Sequence, residues 1–227
     1  MKFREFSTNG VMGHWRLNEE SGTTAYNDVG AAPNASISAA THVEGKISNG
    51  LNFDGTDDIT TVVDSPSIET ANGFSFTLWF RTSLAGNQAI ARKYSASGSQ
   101  REWDIRFDAN GYVVFVVSSD GIATSSVTGA INWEDGNWHF LAALYTGSQL
   151  QLFIDGVRDG TPTNYSSGIF DGTANMNLGA SGITGVDYFG VLDEHKLYNR
   201  ALSSIEVARH YAAGRFIIPE KNIGFGV

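Results

Sequence analysis

Short runs of β-type residues, each closed by a turn dipeptide, constrain this chain more than any other feature of its sequence. In FSFTLWFRT (74–82), Phe74, Phe76, Leu78 and Phe80 alternate with Ser75, Thr77, Trp79 and Arg81. A period of two puts one set on each face of a strand. WDIRFD, NGYVVFVVSSDG, WHFLAALYTGSQLQLFIDG and MNLGAS continue the pattern. Two of these runs flank Gly147-Ser148, a hairpin signal, while Asn110-Gly111 and Asp155-Gly156 mark further turns. Regularly spaced strands with such turns predict a sandwich and not alternating β-α units.

A helix is predicted once, near the end of the chain. Ser203-Ser204-Ile205-Glu206 has the capping-box spacing, Ile205, Ala208 and Ala212 recur at helical period, and Gly214 is a stop signal. The 227 residues, 41% of them hydrophobic, are enough for one substantial core, and the 26 glycines fit a turn-rich fold. No repeat of fixed period and no low-complexity linker divides the chain.

Charge and composition remove several function classes. A formal net charge of −9 opposes nucleic acid and anionic membrane surfaces as partners. With no cysteine, disulfides, thiolate metal sites and cysteine nucleophiles are excluded. No apolar window reaches a membrane-spanning length, and the opening MKFREFSTNGVMGHW lacks the apolar core of a signal peptide.

Several segments, taken in order, resemble a laminin G-like domain of the concanavalin A-like superfamily. HWRLNEESGTTAYNDVG resembles the family's opening strand and acidic loop, and GLNFDGTDDITTVVDSPSI its Phe-Asp-Gly hairpin. FSFTLWFRT, GNWHFLAALYTGSQLQLFIDGV and FGVLDEHKLYNRALSSIEV resemble the Trp strand, the Trp-His hairpin and the closing strand with its Asp-Glu pair and helix. The resemblance implies an all-β jelly-roll sandwich of two antiparallel sheets with one short helix near the C-terminus. The domain is expected over 11–214, with an N-terminal extension (1–10) and an apolar C-terminal tail (215–227) as an anchoring segment.

The resemblance also implies a structural calcium site near the end of the closing strand. Asp193 is the matching position, with Asp28, Glu19 and a backbone oxygen near Asp54 as companions. The alternative is that Asp193 caps loop amides while Glu194 pairs with Arg200. The acidic run at 54–58 reads as a hairpin turn.

Glu102 and Asp104 in EWDIRF partly resemble the Glu-x-Asp signature of glucanases on this fold. Retaining hydrolysis needs a second carboxyl as acid/base, and the positions that follow are Arg106 and Phe107. The expectation is therefore a non-enzymatic protein, with a glycoside hydrolase or its accessory module as the alternative. Ligand-binding residues are expected at Trp79, Arg81, Asp104 and Arg106, on strands expected to line the concave sheet; Trp79 packed under a loop is the competing reading. The expected ligand is a glycan, such as a host cell-surface polysaccharide. A lone domain of this type with a Met start, no signal peptide and no cysteine is expected on a bacteriophage virion surface. There it would follow cytoplasmic synthesis, as capsid decoration or with fibre subunits, alone or as a homo-oligomer. A purely structural virion protein without a ligand is the third reading.

Overall fold

A computed structural model describes residues 9–70, 72–95, 97–180 and 186–215. The segments at 1–8 and 216–227, and with them nearly all of the expected extension and anchoring tail, lie outside the described residues. The strands are β1 (Val11–Trp15), β2 (Thr24–Ala25), β3 (Ala35–Ser38), β4 (Thr41–Glu44), β5 (Asn49–Asp54) and β6 (Ile59–Val62). They continue as β7 (Phe74–Arg81), β8 (Gln88–Ser95), β9 (Gln100–Phe107), β10 (Tyr112–Gly121), β11 (Thr124–Asn132) and β12 (His139–Tyr145). β13 (Gln149–Ile154), β14 (Val157–Arg158), β15 (Thr163–Asn164), β16 (Met176–Leu178) and β17 (Phe189–Tyr198) follow, and α1 (Ser204–Arg215) closes the described chain.

The strands form two antiparallel sheets. Sheet I runs β14-β13-β12-β7-β17-β5-β4, with β1 added to β17 and β15 to β13. Sheet II runs β11-β10-β9-β8-β16-β6-β3-β2. The predicted alternation of β7 is realised: Phe74, Phe76, Leu78 and Phe80 enter the core between the sheets. They meet Trp103, Ile105 and Phe107 of β9 and Val113, Phe115 and Val117 of β10. Burying each such side chain is worth about 1.5–3 kcal/mol, so this layer dominates the stability of the sandwich. The architecture is the expected concanavalin A-like jelly roll.

The other face of β7 is covered too. Trp79, Phe140, Leu144, Phe153, Tyr198 and Leu202 form a second apolar cluster on the outward face of sheet I, closed by Val207 of α1. Ser203 caps the helix reciprocally: Glu206 N–H donates to its Oγ at 3.3 Å, and its own N–H donates to Glu206 Oε2 at 2.8 Å. The capping box therefore starts the helix as predicted, but the buried face differs. Ile205 is 63% exposed, and Ala208 and Ala212 also face solvent. Val207, Tyr211 and Gly214 are turned toward the sheet instead. Gly214 lies within the helix and does not stop it. Lacking a Cβ, it lets the helix settle against the Trp79 ring.

β17 is the strand that organises sheet I. Its first half pairs with β5 (Leu192 opposite Leu51) and its second half with β1 (Trp15 opposite His195). Between them the register against β7 shifts in a bulge from Asp193 to Lys196, where Glu194 takes a left-handed φ of 53°. The Asp-Glu pair thus sits in the middle of the strand, at the change of neighbours.

Candidate functional site

On β9 the inward Trp103, Ile105 and Phe107 leave Asp104 and Arg106 on the outward face of sheet II. β8 brings Arg92 opposite Asp104. Arg92 donates to Asp104 Oδ1 from Nε (2.9 Å) and lies 2.8 Å from it through Nη2. Arg106 Nη1 donates to the other oxygen, Oδ2, at 2.6 Å. One carboxylate thus fixes two guanidiniums, and planar charge-assisted pairs of this kind hold their geometry. Asp104 is only 1% exposed, whereas the Arg106 side chain is 39% exposed. The Tyr94 ring joins the group, with the Arg92 guanidinium 4.9 Å and the Arg101 guanidinium 5.8 Å from its centroid.

Behind this face Lys93 is wholly buried. Its ammonium pairs with Glu102, lies 2.8 Å from Asp64 and donates to the Gly172 carbonyl at 3.2 Å. Burial disfavours its charge, but the Asp64 and Glu102 carboxylates outweigh this and hold its pKa above the ordinary lysine value. Glu102 Oε1 also accepts from Gly172 N–H at 3.0 Å. Glu102 therefore anchors the loop at 172 to β9. It pairs with neither Arg101 nor Arg106, the partners a surface reading would give it.

The four residues expected to share a binding surface do not share one. Asp104 and Arg106 lie on sheet II, Trp79 and Arg81 on sheet I. Trp79 is 3% exposed beneath α1, packed on Phe140 (5.4 Å) and Tyr211 (5.8 Å). Arg81 stacks on Trp138 at 5.0 Å. Alternation correctly turns all four away from the core, but a period of two cannot say which sheet a strand joins. Arg92 and Tyr94 were missed. Their signal was the alternation in β8, where a basic residue reads equally well as ordinary solvated surface.

The expected metal ligands are brought together only in part. Asp193 is fully buried; its Oδ2 accepts from Ile47 N–H at 2.8 Å, while its Oδ1 has no hydrogen-bond partner. Burial pushes its pKa up to about 8. Glu19 Oε1 accepts from Tyr26 N–H at 2.8 Å, and its Oε2 is likewise buried and unpartnered. Asp193 lies against the turn at 45–49, and Asn18, the residue before Glu19, is tied to the same turn through its carbonyl and Asn49 Nδ2 (3.2 Å). A buried carboxylate oxygen without a partner, as Asp193 and Glu19 each carry, fits a hard cation. Asp28 does not join them: its carboxylate pairs with Arg16 at the surface. Asp54 stands opposite Phe189, well down β5 from the level of Asp193. Of the alternative reading one half forms and one does not: Asp193 does cap a loop amide, that of Ile47, but Glu194 bonds His14 at 2.7 Å, while Arg200 takes Glu206.

Among the described residues, Asp54, Asp57 and Asp58 have carboxylate oxygens within 4.8 Å of one another. Asp58 Oδ2 accepts from Asp54 N–H at 2.6 Å and Asp54 Oδ1 from Thr56 N–H at 2.9 Å, so these carboxylates close the hairpin as expected. His139 bridges two carboxylates, Asp155 through Nδ1 (2.9 Å) and Asp135 through Nε2 (3.0 Å). Among the described residues no helix is long and apolar enough to cross a membrane.

The two sheets, their order and the single covering helix define a lectin-like jelly-roll domain. Residues 53–208 match the laminin G-type family described as the concanavalin A-like lectin/glucanases superfamily, and the chain belongs to that family. No curated protein matches the sequence. Among solved structures, the binding domain of Paraclostridial Mosquitocidal Protein 1 is similar at a TM-score of 0.76 and 15% identity, over 90% of this chain and 52% of that one. Domain 4 of AbnA, a GH43 extracellular arabinanase from Geobacillus stearothermophilus in complex with arabinotriose, is similar at 0.67 and 18%, over 88% and 97%. The binding domain of botulinum neurotoxin serotype G is similar at 0.72 and 11%, over 89% and 51%. The chain thus spans about half of the toxin domains it resembles and nearly all of the arabinanase domain.

Proposed function

We propose that the chain is a non-catalytic glycan-recognition domain whose ligand lies on the outward face of sheet II, around Arg92, Asp104 and Arg106. The observation that supports this most is the double clamp of Asp104, which fixes two guanidiniums before any ligand arrives. Donors held in place need little ordering on binding, which is what weak, hydroxyl-rich ligands require. The similar arabinanase domain was captured with arabinotriose, and the similar toxin domains are binding domains, so a binding role is consistent with the fold's relatives.

Catalysis is disfavoured by the same geometry. Glycoside hydrolysis needs two carboxyls free to act on the sugar. Asp104 is held by two arginines and Glu102 by Lys93 and Gly172, with Phe107 in the core. The alternative hydrolase reading draws on Glu102, whose pKa burial pushes up to about 8, a value suited to a general acid. Reducing-end release from polysaccharides, lost in Glu102→Gln, would establish it.

In this proposal calcium is structural. Asp193 and Glu19 would hold it through their unpartnered oxygens, and the ion would supply charge compensation that ties the 45–49 turn to β17. The setting we propose is the surface of a phage particle: a sequence without cysteine needs no oxidising compartment to fold. Immunodetection on purified particles tests that setting. The binding role is tested by nuclear magnetic resonance titration with oligosaccharides. Shifts centred on Arg92, Asp104 and Arg106 are expected; shifts confined to sheet I, or none with any glycan, would overturn it.

A further inference from the structure

Building on the glycan-binding face proposed above, we infer that the face selects acidic sugars, binding a uronate carboxylate through Arg106, with Arg92 beside it on Asp104 and Arg101 further along β9. The first ground is charge. The protein is −9 overall, yet around Tyr94 and Asp104 three guanidiniums meet one outward carboxylate. The neighbouring carboxylates Glu102 and Asp64 share the single buried Lys93 ammonium, so they offset only one of these two excess positive charges and the group stays positive.

The second ground is what the face lacks. Neutral glycans are held largely by stacking on open aromatic rings, and the ring nearest the clamp, Tyr94, is not open. Trp103 is fully buried in the core, and the Tyr94 ring is already occupied by guanidiniums. The surface therefore offers N–H donors where a stacking platform would otherwise lie.

The third ground is accessibility. Asp104 takes Arg106 through Nη1 alone, and the side chain is 39% exposed. The rest of the guanidinium edge faces outward, held in position by Asp104. A planar carboxylate meets such an edge through parallel hydrogen bonds, a match a neutral hydroxyl cannot make.

The test is calorimetric titration with oligogalacturonate, oligoalginate and hyaluronan oligosaccharides, each beside its carboxyl-reduced neutral counterpart. At least one acidic oligosaccharide should bind tenfold or more tighter than its reduced form and weaken as salt rises. Arg106→Gln, checked for a retained fold by its melting curve, should lower affinity for the acidic form about tenfold and for the reduced form markedly less, because only the acidic form loses a charged partner. Equal binding of acidic and reduced forms, both weakened by Arg106→Gln, would overturn acid selectivity while leaving the face as a glycan site. Binding indifferent to Arg106→Gln, or no binding by any of these oligosaccharides, would overturn the inference; shifts on sheet II with a neutral glycan would then still uphold the broader reading.

Discussion

Gly214 lies so close to Trp79 that a Cβ at position 214 would stand 2.5 Å from the indole ring. Helix and sheet meet there without a side chain between them, which is why Trp79 is buried and not displayed. Overpacking costs about 1–3 kcal/mol, against about 1 kcal/mol gained in helix propensity when glycine becomes alanine. Gly214→Ala should therefore lower stability by about 1 kcal/mol, read as a drop of about 2–4 °C in melting temperature. Trp79→Phe in the same chain should recover part of the loss, because the smaller ring makes room. Additive losses would show that the contact is not the cause.

Trp79→Phe by itself separates packing from recognition. The ring touches Phe140, Tyr211 and α1, all on sheet I. The variant should melt earlier yet bind oligosaccharide with unchanged affinity. A loss of affinity without a loss of stability would return Trp79 to the binding surface.

Asp104 should matter to stability as well as to binding. Removing one partner of a buried ion pair leaves the other uncompensated, at a cost of about 3–5 kcal/mol. Exposure of the Arg106 side chain places Asp104→Asn toward the lower end, near about 3 kcal/mol by chemical denaturation. A change below about 0.5 kcal/mol, the scale of an exposed pair, would contradict the clamp.

His139 gives the fold a pH dependence of definite sign. Burial disfavours its charge, but hydrogen bonds to Asp155 and Asp135 outweigh this, and its pKa lies above the ordinary histidine value. A group whose folded pKa exceeds its unfolded one binds its proton more tightly in the native state. Its contribution is complete below about pH 6.5 and is lost as pH rises through the raised folded value. Melting temperature should fall over that window, and His139→Gln should flatten the fall. An unaltered profile in the variant would show that another group is responsible.

Calcium removal tests the pair at β17. If an ion joins Asp193 to Glu19, EDTA lowers the melting temperature, added calcium restores it, and Asp193→Asn is indifferent to both. Coincident melting curves with EDTA and with calcium would end the calcium proposal.

Much of this architecture was legible in local pattern. The alternation of β7 marked Phe74, Phe76, Leu78 and Phe80 as core, and Ser203 with Glu206 marked the helix start, because strand period and capping are set by neighbours in sequence. The outward direction of Asp104 and Arg106 followed from Trp103 in the same way. Three things were decided only in three dimensions. Which sheet each strand joins separated Trp79 and Arg81 from Asp104 and Arg106. Which helix face is buried was set by Gly214 meeting Trp79, against the period of Ile205, Ala208 and Ala212. Which charges meet was set by strand pairing: register brings Arg92 opposite Asp104, and the irregularity after Lys93, whose register partner is Trp103, lets Lys93 reach Glu102. Sequence spacing fixes the direction in which a side chain leaves its own strand; the partner it finds depends on residues brought alongside by pairing from elsewhere in the chain.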